Sequence, residues 1–250
     1  MNIARTKIKP NKTVLVTGAT SGIGYEIAVK FARENWSVLC HYHSNEKKAQ
    51  ELKEAIVCQG VECYLLKADL SGEREIKNFA GNLKEFQIDS LINNAGTYMV
   101  SKHFSDLTVD DMSKTFMVNV FAPLLLTSMI FLSMKKRRFG RIITISSIAA
   151  KYGGSAFSMH YGCSKRAIEG MTKTLAKEGA EYDVLVNTIR PGVIDTEFHK
   201  KFPKDMRKRT AMIPLKKMGT PKDIADMVYY LGSDVNKFIT NEIITIAGGE

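Results

Sequence analysis

The chain has 250 residues, 44% of them hydrophobic and 25% charged, which excludes a disordered or fibrous polymer and suffices for one well-buried core. Its formal charge of +10 admits anionic partners of several kinds: nucleic acid, an acidic membrane surface, anionic small molecules or an acidic carrier protein. Four cysteines, Cys40, Cys58, Cys63 and Cys163, show neither a CxxC pair nor a histidine at finger spacing, so no metal site and no disulfide framework is expected.

The basic stretch from Met1 to Lys12 lacks an apolar run of signal-peptide length, so export is not expected and the cytoplasm is the expected compartment. From Thr13 onward, short β-rich runs alternate with longer helical patterns. The predicted strands are Thr13 to Thr17, Ser37 to His43, Glu62 to Lys67, Ser90 to Asn93, Arg141 to Ser146, Leu185 to Arg190 and Glu242 to Ala247. Such alternation predicts an α/β chain: a single domain over 1–250, with a Rossmann-type doubly wound sheet of seven mostly parallel strands and helices on both faces.

Between the first two strands, Ile23, Ile27 and Phe31 recur every four residues and give the first helix one apolar stripe. Ser44 is expected to cap the second helix and Gly60 to end it. Thr108 with Asp111 reads as a capping box before a long helix that contains Asn119 and bends at Pro123. The most apolar segment, Val118 to Met134, is interrupted by Asn119, Pro123, Thr127 and Ser128, so a buried helix is expected rather than a membrane span. Thr220 followed by Pro221 opens a last helix through Leu231.

Thr17-Gly18-Ala19-Thr20-Ser21-Gly22-Ile23-Gly24 falls where the first strand turns into the first helix. Backbone amides and the helix dipole there can hold a pyrophosphate, and glycine keeps the approach open. The spacing is not GxGxxG, so it agrees with the general dinucleotide fingerprint in mechanism only. Where NAD-selective enzymes place a carboxylate, at the end of the second strand, the chain reads Cys40-His41-Tyr42-His43-Ser44-Asn45. A 2′-phosphate would meet no repulsion, and His43, Ser44, Asn45, Lys47 or Lys48 can donate to it, which favours NADP(H) over NAD(H).

Tyr161 and Lys165 stand i, i+4 on one helix face. A fixed cation stabilises phenolate, and the phenol can then give a proton to a carbonyl oxygen that receives hydride. Ser147, at the end of the preceding strand, can hydrogen-bond the same oxygen, with Ser146 as a lesser candidate. Taken singly, a Tyr-x-x-x-Lys spacing more often marks a packed ring beside a solvated lysine, and most strand-end serines or helical asparagines only satisfy local structure. Their joint arrangement carries the information.

These residues resemble the short-chain dehydrogenase/reductase family over essentially the whole chain. Thr17 to Gly24 resembles its TGxxxGxG turn, Asn93-Asn94-Ala95-Gly96 its NNAG segment, Tyr161 to Lys165 its YxxxK motif, and Pro191-Gly192 with Val193, Ile194 and Thr196 its nicotinamide-side loop. The resemblance implies Tyr161 as acid/base, Lys165 on the nicotinamide ribose, Ser147 orienting substrate and Asn119 in a proton relay. It implies cofactor contacts at Gly18, Ser21, Gly22, Ile23 and Gly24, with Asp69 and Leu70 flanking adenine. Asn94, Ala95 and Gly96 would line the adenosine ribose, and Ile194 and Thr196 the carboxamide. It implies a homotetramer built through the long helices before and after Ser147. Two departures stand out: the interval from Ser147 to Tyr161 is one residue longer than in many members, and the tail reads Ala247-Gly248-Gly249 instead of Asp-Gly-Gly.

Within the family the chain is most similar to 3-oxoacyl-acyl-carrier-protein reductases, through His41 to Glu46 and the Lys135 to Ile143 run. Residues 195–215, with Phe198, Phe202, Met206 and Met212 among cations, read as a substrate lid or as an ordinary amphipathic surface pair. The substrate expected is a small-molecule or carrier-linked acyl group, with an acidic acyl carrier protein as a partner. The basic run Lys135 to Arg138 is read as local helix-end chemistry. The alternatives are a reductase of a sugar, polyol, steroid or other small ketone, and a dinucleotide-binding regulatory protein without turnover. Basic clusters without interleaved aromatics speak against nucleic acid.

Overall fold

The computed structural model describes residues 11–98, 101–197 and 205–250. In chain order it forms β1 (Thr13–Val16), α1 (Gly22–Arg33), β2 (Ser37–Tyr42), α2 (Glu46–Val57), β3 (Cys63–Lys67), α3 (Glu73–Asn82), β4 (Ser90–Asn93) and α4 (Val109–Phe116). A π-helical turn, Met117–Phe121, leads into α5 (Ala122–Arg137), β5 (Gly140–Ile145), α6 (Ala149–Tyr152), α7 (Met159–Ala180) and β6 (Val184–Pro191). Then come α8 (Met206–Met212), α9 (Pro221–Gly232) and β7 (Ile243–Ile246).

The seven strands form one sheet in the order β3-β2-β1-β4-β5-β6-β7, and every neighbouring pair is parallel. Alternate strand residues point to opposite faces. Val14, Val16, Val38, Cys40, Ile92 and Ile143 pack against Ile27, Phe31, Leu52, Ile56, Ile224 and Val228 of α1, α2 and α9. Leu15, Leu39, Leu91, Ile142 and Val186 pack on the other face against Ile76, Phe79, Leu126, Ile130 and Ala176 of α3, α5 and α7. Each fully buried Leu, Ile or Val stabilises the sheet by roughly 1.5–3 kcal/mol. With both faces covered, the strands read as near-continuous apolar runs. The strand order reverses between β1 and β4, which opens a crevice at their carboxyl ends.

Of three local expectations, the cap of α2 is corrected. The N-cap of α2 is Asn45, whose carbonyl oxygen accepts the Lys48 amide hydrogen at 3.0 Å; Ser44 lies one residue too early to reach the first turn. Gly60 adopts φ 81° just beyond the helix end, and its N–H donates to the Val57 carbonyl. Pro123 lies in the first turn of α5, directly after the π turn, where its missing N–H is accommodated.

Nor do Asn119, Pro123, Thr127 and Ser128 interrupt the apolar segment. Val109–Arg137 is one continuous helical stretch, and by length and composition it is the one helix among the described residues long and apolar enough to cross a membrane. Half of its most apolar window is buried inside the fold. Its buried Thr127 finds a partner on the sheet: Asn93 on β4 donates to the Thr127 hydroxyl at 2.9 Å. That is the packing of a helix on a sheet.

Candidate active site

The crevice begins at the glycine turn. Gly18 has φ 65° and Gly22 φ 45°, conformations that favour glycine. A Cβ on Gly24 would lie 2.3 Å from the Gly18 carbonyl oxygen, so Gly24 is needed for helix-to-turn contact. On Gly22 it would strike Thr196 at 2.9 Å, because the loop after β6 folds over the turn. Ser21, the N-cap of α1, makes no side-chain cap bond to the first-turn amides. Those amide hydrogens, at the positive end of a 12-residue helix, suit a pyrophosphate. Ile23, in the first turn of α1, is partly buried against the core.

Asn94 pins this turn from the end of β4. Its side-chain amide donates to the Thr17 carbonyl at 2.8 Å and the Gly18 carbonyl at 3.1 Å. The backbone N–H groups of Asn94 and Ala95 both donate to the Thr17 hydroxyl. Ala95 remains partly exposed and Gly96 exposed, beside the crevice.

At the adenosine end, His43 and Asp69 approach across the ends of β2 and β3, with Nε2 and Oδ2 3.7 Å apart. Asp69 also accepts the Ser71 amide hydrogen at 2.8 Å, and Leu70 is buried beside it. Ser44 is exposed. His41, which the sequence reading passed over, is buried: its Nδ1 accepts the Gly18 N–H at 3.0 Å and its Nε2 lies 3.1 Å from the Ala68 carbonyl. Burial lowers its pKa to about 4, so the ring is neutral, with Nε2 carrying the proton.

On the other side of β4, α7 presents Tyr161 and Lys165 on one face. Lys165 is buried, its ammonium donating to the Ile145 carbonyl at 2.8 Å and lying 5.9 Å from the centre of the Tyr161 ring. Burial lowers its pKa to about 8, while Glu169, one turn on, acts in the opposite direction. Burial also raises the Tyr161 pKa, against a hydrogen bond with Ser147 that lowers it. This differs from the simple expectation of a cation-lowered phenol: desolvation is the larger cause and outweighs the Ser147 hydrogen bond. Ser147, at the carboxyl end of β5, accepts the Ala149 N–H at 3.1 Å, which opens α6. The long interval to Tyr161 is taken up by α6 and by Gly153 and Gly154 in the left-handed region, packed onto the first turn of α7.

Asn119 lies in the π turn with its side chain fully engaged. Its oxygen accepts the Thr97 N–H at 2.8 Å, and its amide donates to the Thr97 carbonyl and the Ser164 hydroxyl, both at 2.9 Å. It therefore crosslinks the segment after β4 to α7. Ser146 points away from the crevice, toward α7. Tyr98, also unanticipated, stands edge-on to Tyr161 with centroids 5.8 Å apart, stacks on buried His160 and donates to the Phe157 carbonyl. After β6, the Pro191 carbonyl accepts the Ile148 N–H at 2.8 Å and the Gly192 N–H donates to the Ile246 carbonyl. Ile194 bridges to Gly219. The glycine turn, the NNAG segment, Ser147, the Tyr161/Lys165 face and the loop after Pro191 thus converge on one sheet edge.

Residues 12–207 match the model of the short chain dehydrogenase family. The chain belongs to the short-chain dehydrogenase/reductase family. Among its curated relatives is the 3-oxoacyl-acyl-carrier-protein reductase FabG of Aquifex aeolicus, 33% identical over 241 residues, covering 95% of this chain and 96% of that one. A blue fluorescent protein from a metagenomic library, solved in complex with NADPH, superposes with TM-score 0.88 at 27% identity and covers 96% of this chain and 98% of its own. Acetoin dehydrogenase from Enterobacter cloacae superposes with TM-score 0.86 at 27% identity, covering 96% and 95%. As a short-chain dehydrogenase/reductase the chain is an oxidoreductase, and the crevice between β1 and β4 fits the family's nicotinamide dinucleotide on the evidence of its uncapped helix start and glycine turn.

Proposed function

We propose that the chain is an NADP(H)-dependent reductase of 3-oxoacyl thioesters, with Tyr161, Lys165 and Ser147 as its catalytic residues. The observation that carries this reading is the convergence of Ser147, Tyr161 and Lys165 beside the glycine turn. A bound nicotinamide dinucleotide supplies the hydride. Ser147 and Tyr161 hold the carbonyl oxygen between two hydroxyls, and Tyr161 gives it a proton as negative charge develops. The raised phenol pKa keeps that proton available at neutral pH. The Lys165 ammonium would hold the nicotinamide ribose, and it stabilises Tyr161 as it loses its proton. Asn119 acts by holding Thr97 against α7.

Preference for NADP(H) is supported by the absence of a carboxylate at the end of β2, where His43 and Ser44 are exposed to a 2′-phosphate. Gly18, Ser21, Gly22, Ile23 and Gly24 would cradle the pyrophosphate, Asp69 and Leu70 the adenine. Asn94, Ala95 and Gly96 would line the ribose, with Pro191, Gly192, Ile194 and Thr196 at the carboxamide. The whole chain is read as one catalytic domain with 195–215 as lid; Phe198 and Phe202 lie outside the described residues. An acidic acyl carrier protein would meet Lys208 of the lid, 87% exposed and 3.9 Å from Asp205, in preference to the engaged cations of the 135–138 run. There, Lys135 lies over the Tyr182 ring, Arg137 binds Asp89 and Arg138 donates to the Glu181 carbonyl. A homotetramer is supported by the exposed apolar face of α5, where Leu124, Leu125, Met129 and Leu132 lie open. A cytoplasmic location remains the companion of this reading.

The test is loss of NADPH absorbance with an acetoacetyl thioester, beside sugar, steroid and acetoin-type ketones, with NADH in parallel. Turnover of the thioester with NADPH and a fall of about 10²- to 10⁴-fold in Tyr161→Phe are expected. Turnover of another ketone alone moves the substrate assignment to the small-ketone reading, equal efficiency with NADH overturns the cofactor preference, and tight NADPH binding without turnover favours a regulatory role.

A further inference from the structure

Two turns beyond Tyr161 and one beyond Lys165, α7 carries Glu169 on the same face. It is 4% exposed. A carboxylate taken so far from water needs partners for both oxygens, and these come from two other elements. Oε1 accepts the Ser146 hydroxyl at 2.7 Å and Arg190 Nε at 2.6 Å. Oε2 accepts Arg190 Nη2 at 2.7 Å, making the Arg190 contact bidentate. Arg166 Nη1 stands 3.7 Å off at the outer edge.

What those partners adjoin matters more than the bonds themselves. Ser146 immediately precedes Ser147, and its hydroxyl also lies 3.3 Å from the Lys165 carbonyl. Its N–H donates to the Ile189 carbonyl on β6 at 2.8 Å. Arg190 immediately precedes Pro191 and Gly192, where the chain leaves β6 for the loop that folds over the glycine turn. We propose that Glu169 is a positioning residue of the active site: its carboxylate keys the ends of β5 and β6, which place Ser147 and the Pro191-Gly192 loop, to the helix face that carries Tyr161 and Lys165.

Stability alone does not explain a charge here. An apolar pair of similar volume at a buried ion pair is often neutral or stabilising, whereas a fixed carboxylate sets both geometry and field. The groups around the Lys165 ammonium are Tyr161 and Glu169 on its own helix. From β5 comes the Ile145 carbonyl, from the segment after β4 Gly96, and from the π turn Asn119, all neutral; Arg190 of β6 and Arg166 of α7 reach it only through Glu169. Glu169 is the anion that opposes desolvation of Lys165. Removing it leaves Arg190 without its bidentate partner and Lys165 without the carboxylate that raises its pKa.

This inference rests on the assignment of Tyr161, Lys165 and Ser147 above. The experiment compares wild type, Glu169→Gln, the double variant Glu169→Leu with Arg190→Met, and Lys165→Ala. NADPH turnover is followed across pH, NADPH affinity by calorimetry across pH, and unfolding without nucleotide. Glu169→Gln is expected to lose about tenfold or more in kcat, with the alkaline limbs of turnover and of NADPH affinity moved down by about one pH unit. The double variant is expected to regain the wild-type melting temperature but neither kcat nor the alkaline limb. Wild-type kcat and pH profiles in Glu169→Gln overturn the proposal, as does a double variant that regains all three. Retained turnover in Lys165→Ala overturns the site assignment instead, and is read independently of Glu169.

Discussion

His41 joins a single side chain to the turn on which the crevice depends. Its Nδ1 must stay unprotonated to accept the Gly18 N–H, and its Nε2–H satisfies the Ala68 carbonyl. Burial lowers its pKa from 6.5 to about 4. In the unfolded chain the ring takes up a proton as pH falls through about 6.5, while in the folded chain it resists until about 4. Its stabilisation is therefore complete above pH 6.5 and declines as pH falls from there toward 4. The decline amounts to at most about 3 kcal/mol. Denaturant titrations of His41→Asn, whose amide oxygen can accept the same N–H, are expected to lose most of that slope; an identical slope in the variant would refute the role. Nothing in the residue pattern at Cys40-His41-Tyr42 distinguished this buried histidine from exposed His43, because His41 stands near the end of β2 and His43 two residues on, just past it, and only the contact with Gly18 separates them.

At the scale of elements, ends were legible where side chains cap them and obscure where the backbone alone does. Thr108 with Asp111 forms the expected capping box, and Thr220, the expected cap ahead of Pro221, forms a second one with Asp223. Thr220→Ala removes the hydroxyl that accepts the Asp223 N–H at 3.3 Å and donates to its carboxylate at 2.8 Å. A loss of about 1 kcal/mol is expected by urea unfolding, because the first-turn Asp223 amide of α9 loses its side-chain acceptor. A midpoint unchanged from wild type would show that water replaces the cap at no cost. By contrast α3 begins at Gly72 with no side-chain cap and buries only Ile76, Phe79 and Ala80, too few apolar positions for a periodicity to declare it. The π turn is invisible in the sequence for a related reason: Pro123 announces a missing N–H, but the widened turn before it lies where Asn119 is fastened to Thr97 and Ser164.

For the molecule as a whole, Arg141 is the largest of the fully buried side chains. It lies in β5 at the end of the sheet opposite the crevice and donates to the carbonyls of Gly140 at 2.8 Å, Asp183 at 2.8 Å, Asn236 at 2.9 Å and Ser233 at 3.2 Å. Asp183 Oδ1 lies 3.1 Å away. One guanidinium thus joins the starts of β5 and β6 to the segment between α9 and β7. Arg141→Leu leaves these buried carbonyls without their donors, and a loss of about 3–5 kcal/mol is expected. Since the Tyr161 and Ser147 end of the sheet is untouched, turnover per folded molecule should stay close to wild type. A large fall in kcat at full folding would show that the two ends are coupled.

The sequence by itself determined the strand pattern, the glycine turn at the first strand's end, and the i, i+4 placement of Tyr161 with Lys165, because each depends on neighbours a few residues apart. The family followed from those motifs together. Only the tertiary structure decided that Ser146 turns to Glu169 while Ser147 faces Tyr161, that Asn119 is a crosslink, and that His41 and Tyr98 belong to the crevice. It also decided that the apolar helix packs half-buried on the sheet. These outcomes depend on which strands lie side by side, and a parallel sheet in the order β3-β2-β1-β4-β5-β6-β7 brings together residues that the chain keeps far apart.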